Sequence, residues 1–133
     1  MGTERRNGFT LIELMIALVV ITLVVGGYIG ANVRAQRNTE EMHERTVAIQ
    51  DANRVIEQMR DVSKTGTFPA NVVAVYPHNS QVTGISNLTD EVITVTYTGA
   101  VTDNPLIATI TVTWLSYPVR TCSETVQTYI TQR

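Results

Sequence analysis

From Phe9 to Ala31 the chain is apolar at almost every position and carries a single charge, Glu13. At about 1.5 Å of rise per residue, a helical run of this length crosses a hydrocarbon core of about 30 Å, so the pattern predicts a membrane helix. From Asn32 to Lys64 neither proline nor glycine occurs. There Met42, Ala48, Ile49, Ala52, Val55, Ile56, Met59 and Val62 recur at spacings of three, four and seven, the stripe of an amphipathic helix with one face to bury. Glu40, Glu41, Glu44, Arg45, Asp51, Arg54, Glu57, Arg60 and Asp61 are assigned to its solvated face.

Beyond residue 64 the helical period disappears. Gly66, Pro69, Pro77 and Gly84 mark a connecting region that extends to about Asp90, with one short strand expected at 71–76. Ile93, Val95 and Tyr97 then alternate with threonines. After a turn containing Gly99, Asp103, Asn104 and Pro105, Leu106, Ala108, Ile110, Val112 and Trp114 do the same. A third strand is expected over 121–131, with Val126 and Ile130 on one side. An antiparallel meander laid over the amphipathic half of the helix satisfies both periods. The predicted fold class is α+β: one long N-terminal helix packed against a small C-terminal antiparallel sheet.

Composition narrows the function. A formal net charge of -2 and a pI near 5.6 lack the clustered basic surface of a nucleic-acid binder. Cys122 is the only cysteine, so the C-terminal region must be stable without an intrachain disulfide. The apolar run is longer than the h-region of a secretory signal, and no Ala-x-Ala-like cleavage site closely follows it. Arg5 and Arg6 precede it and place the N-terminus in the cytoplasm by the positive-inside rule, with Arg34 and Arg37 as competing charges. Gly26, Gly27 and Gly30 either suit close helix packing within a membrane or locally weaken the helix. Glu13 has two readings: an interfacial acid held by the positive end of the helix dipole, or a carboxylate paired with a cation on another subunit.

Gly8-Phe9-Thr10-Leu11-Ile12-Glu13, behind a leader carrying Arg5 and Arg6 and ahead of a long apolar helix, resembles the class III signal of type IV pilins and type II secretion pseudopilins. The resemblance implies cleavage by a prepilin peptidase between Gly8 and Phe9, N-methylation of Phe9, and pairing of Glu13 with the terminal amine of a neighbouring subunit. It implies four parts: a leader at 1–8, a transmembrane or filament-core half at 9–31, an amphipathic half at 32–64, and a loop and sheet at 65–133 that form the globular domain with 32–64. The helix around 48–60 and the strand 110–114 are most similar to V-type minor pilins and related I-type pseudopilins. The lone Cys122 departs from the paired cysteines of many major pilins.

Other chemistry finds no support. His43 and His78 lack partners at metal-ligand spacing and are read as solvent-facing. Asp90 with Glu91, and Glu40 with Glu41, are adjacent rather than spaced as acid and base, and nucleophile-elbow and phosphate-loop motifs are absent. Trp114 is assigned to the core. The expected function is a minor pilin-like structural subunit of a type IV pilus, not an enzyme, with no metal and no cofactor. Its expected partners are the prepilin peptidase, other pilin or pseudopilin subunits and, before assembly, the inner membrane; nucleic-acid contact is not expected. The expected location is a single pass of the inner membrane, N-terminus cytoplasmic, and later a surface or periplasmic filament. The alternatives are a type II secretion pseudopilin and, from a different class, a membrane-anchored binding module.

Overall fold

The computed structural model describes residues 10–132. Its elements in chain order are α1 (Leu11–Ser63), α2 (Ala70–Val75), β1 (Ser80–Val82), β2 (Val92–Thr98), β3 (Leu106–Ser116) and β4 (Arg120–Ile130). By its internal contacts the chain forms two units, Met1–Glu40 and Glu41–Arg133.

In the first unit, every described residue of α1 is exposed, including Leu11, Leu14, Leu18, Leu23 and Tyr28. A helix this long and apolar is able to cross a membrane. Within a single chain in water, so continuous an exposed apolar surface is untenable, and lipid or other helices must cover it. Two of its polar side chains are satisfied within the helix. Thr22 Oγ1 donates to the Leu18 carbonyl at 2.7 Å and Asn32 Nδ2 to the Tyr28 carbonyl at 3.1 Å, so neither needs a partner outside the helix. A Cβ built on Gly26, Gly27 or Gly30 would meet nothing within 4 Å. Any need for small residues there comes from outside the chain.

The second unit is a helix-on-sheet sandwich with strand order β1-β2-β3-β4, antiparallel throughout. From α1, Ala48, Ala52, Val55, Ile56 and Met59 are buried against Ile93, Val95, Tyr97, Leu106, Ala108, Ile110, Val112, Trp114 and Ile130 of the sheet. The expected helical stripe is therefore the core face from Ala48 onward, whereas Met42 is 71% exposed. Strand β3 alternates strictly between buried and half-buried positions. In register, Val95, Ile110 and Val126 form one apolar row across three strands, and Thr94, Thr111 and Thr125 a row on the opposite face. The β2–β3 turn needs glycine at Gly99, where φ is +90° and an added Cβ would come within 3.1 Å of Asp103 Oδ2.

Three expectations need correction. Residues 71–76 do not form a strand; Ala70–Val75 is helix α2. The valines of this segment favour a strand intrinsically, but the Asn71 amide donates to the Val62 and Thr65 carbonyls at the end of α1, and Val72 is fully buried. Tertiary anchoring overrides a weak local preference. The sheet has a fourth strand, β1, lying in the region assigned to loop. Asp51, assigned to the solvated face, is buried at 4% exposure.

Tyr97, on β2, yields a pH prediction. It donates its hydroxyl to the Tyr76 carbonyl at 2.6 Å. Burial, reinforced by Tyr76, pushes its phenol up to about 12, above the ordinary value near 10. The folded state thus holds Tyr97 protonated after the unfolded chain begins to ionise it. Its contribution is intact below about pH 10 and is lost as the pH rises toward 12. Urea midpoints at pH 9 and pH 11 should fall with alkalinity in the native chain and fall less in Tyr97→Phe.

Candidate processing and assembly site

The first described residues build a helix start. Thr10 precedes α1, and its hydroxyl accepts from the Glu13 N–H at 3.3 Å, while its carbonyl accepts from Glu13 N at 3.1 Å and Leu14 N at 3.2 Å. Thr-x-x-Glu at an N-terminus is the capping-box pattern, in which threonine caps the third helical residue and glutamate occupies that third position. Glu13 is accordingly the one acid in the first turn, exposed to the surroundings and close to the positive end of the helix dipole. The capping role of Thr10 was legible in the spacing Thr10-x-x-Glu13 but hidden behind the question of why an acid stood in an apolar run. Gly8 and Phe9 lie outside the described residues.

A second polar constellation lies within the globular unit, along the seam between α1 and the β3–β4 hairpin. Trp114 Nε1 donates to Glu44 Oε2 at 3.0 Å, Arg45 makes a two-pronged contact with Glu124 at 3.0 and 3.1 Å, and Arg120 pairs with Glu41 at 3.0 Å. Ion pairs this exposed stabilise little. Glu44 matters more, because it satisfies the indole N–H of a tryptophan that is only 4% exposed. Deeper in the unit, Asp51 Oδ1 accepts from Asn87 Nδ2 at 2.7 Å, and Glu91 Oε2 accepts from the Asn87 and Leu88 N–H groups at 2.7 and 3.1 Å. Asp51 Oδ2 and Glu91 Oε1 are buried without a hydrogen-bond partner among the described residues. This carboxylate–amide–carboxylate chain ties the helix to the loop before β2, and no sequence spacing announces it.

The histidines are both exposed, yet His78 has a structural task. Its Nδ1 accepts the Tyr97 N–H at 3.0 Å and so continues the hydrogen bonding of β2 beyond β1. Among the described residues no three His, Cys, Asp or Glu side chains gather as a metal site.

Residues 4–29 match the family model described as the prokaryotic N-terminal methylation motif. The match marks a type IV pilin-like class III signal peptide, as the resemblance at residues 8–13 implies. No curated protein and no solved structure matches the chain. The long helix with its antiparallel sheet matches the pilin fold. The motif implies cleavage by a prepilin peptidase and assembly with pilin-type subunits. The apolar helix and the signal together fit a single-pass inner-membrane anchor.

Proposed function

We propose that the chain is a minor subunit of a type IV pilus. The peptidase cuts between Gly8 and Phe9, the new Phe9 amine is methylated, and the subunit waits in the inner membrane with its N-terminus cytoplasmic before entering or priming a filament. It performs no catalysis and takes no cofactor. The observation that carries the reading is the methylation motif at 4–29 overlapping the start of a helix whose apolar residues up to Val33 are all left exposed by the chain itself. Such a surface suits two successive environments, lipid before assembly and neighbouring helices afterwards, with little change in what it buries.

Glu13 is the proposed register contact. Its carboxylate pairs with the Phe9 amine of an adjacent subunit, because either charge left alone among apolar helices is costly while the pair is not. The lone cysteine, Cys122, supports a minor role, since one thiol cannot close a loop within the chain. Mass spectrometry of the protein from cells with an active peptidase should find a methylated Phe9 terminus and no residues 1–8. A chain retaining Met1 under those conditions would overturn the reading.

A further inference from the structure

In the globular unit the most exposed large apolar side chains are Val119 at 84%, Tyr117 at 79% and Met42 at 71%. All three lie at one end. Tyr117 and Val119 form the tip of the β3–β4 hairpin, and the Arg120–Glu41 ion pair at 3.0 Å fastens the base of that tip beside the residue preceding Met42. The next in exposure, Tyr129, stands at the opposite end of β4. The grouping at the hairpin tip is therefore a local feature.

Val119 adds a second observation. Its φ is +93°, a backbone region that β-branched residues rarely occupy and that glycine would adopt freely. A strained, exposed valine gains nothing from packing within its own chain. Its backbone N–H is held by the Ser116 carbonyl at 2.8 Å, and outliers fixed in this way cluster at sites of function.

What covers the tip follows from the length of chain that leads to it. The unit begins at Glu41, and only residues 32–40 separate it from Ala31, the last residue of the apolar stretch. Even fully extended, ten residue steps reach no more than about 35 Å, and as helix about 15 Å. The unit is thus tethered to the bilayer, so a small apolar tip meets lipid at high effective concentration and needs little intrinsic affinity. Tyrosine is a side chain that interfaces favour, with its ring among acyl ends and its hydroxyl among headgroups.

We propose that the Tyr117–Val119 hairpin tip, with Met42 beside it, dips into the outer face of the inner membrane and docks the globular unit on the bilayer before assembly. The inference rests on the membrane-anchor reading above. Release of this contact then accompanies entry into a filament.

The test uses the full chain in phosphatidylcholine vesicles, with Tyr117→Trp as a reporter and the native Trp114 as the baseline. Bromine placed near the headgroup end of the acyl chains should remove about half of the emission added by the reporter, the behaviour of an interfacial aromatic, and leave Trp114 largely unaffected. Adding Val119→Asp should restore most of the lost emission. Val119→Gly should also weaken quenching while raising the urea midpoint of the unit. Reporter emission insensitive to the brominated lipid overturns the proposal. So does protection of the reporter from aqueous iodide that emerges only at high protein-to-lipid ratio, because a second copy is then the cover. Flotation with the vesicles is measured in parallel. A chain that fails to float defeats the anchor reading and this inference with it, whereas a chain that floats with its reporter unquenched defeats only the inference.

Discussion

Truncating Ile110 to alanine is expected to destabilise the globular unit by about 3 kcal/mol, the middle of the range for removing a large aliphatic side chain from a packed core. Ile110 has no exposed surface, and it stands between Val95 and Val126 in the centre of the sheet. Neither neighbour reaches far enough to refill the space without leaving its own contacts in the core. For a domain of this size the urea midpoint should drop by about 1–2 M at an unchanged slope. Met42→Ala is the matched control: it removes an exposed side chain from the same unit and should stay within about 0.5 kcal/mol of the native chain. A midpoint shift in Ile110→Ala no larger than the control's would mean that the helix and sheet are not packed as described.

At Glu13 the second large effect separates the local helix-capping role from the proposed assembly role. As the third residue of a capped helix it supports α1 locally, and glutamine does that almost as well, since the capping box accepts either. As the proposed charge partner for a neighbour's terminal amine it is not replaceable by a neutral amide. Glu13→Gln should therefore leave peptidase cleavage and helicity intact and yet reduce incorporation into filaments by about a hundredfold, corresponding to roughly 3 kcal/mol for an unpaired charge at a helix-packed interface. Immunoblots of sheared filaments against whole-cell protein measure this directly. Incorporation of Glu13→Gln at the native level, alongside a failing Glu13→Ala, would assign the residue to helix capping alone.

Much of the helix is legible in residue spacing. Ala48, Ala52, Val55 and Met59 follow the 3.6-residue period, and each is buried at 1% exposure or less. Period and residue type disagree at position 51, which stands three residues from Ala48 and four from Val55 and so lies on the core face by spacing. Its carboxylate argues for water, and the type-based assignment failed because Asn87, 36 residues away, supplies the hydrogen bond that makes burial tolerable. A distant donor of this kind leaves no local trace. The short elements failed for a different reason. Three residues of β1 and six of α2 are too few to express a period, so pairing with β2 and the pull of Asn71 on the end of α1 decide their conformation.

The candidate site divides in the same way. Gly8 to Glu13 is a contiguous signal whose information is local, because a peptidase reads a short stretch of chain and its residue types rather than a folded surface; the match at 4–29 and the cap of Thr10 on Glu13 need no tertiary contact. The long apolar helix, the alternation of β2 and β3, and the α+β order were likewise written in spacing along the chain, since burial of one face imposes a period that any reader can count. Tertiary structure alone decided which distant groups satisfy the buried Asp51, how Glu44 meets Trp114 across 70 residues, and that Met42, Tyr117 and Val119 share one exposed end. Those are contacts between segments far apart in sequence, and their energies exist only once the chain has closed on itself.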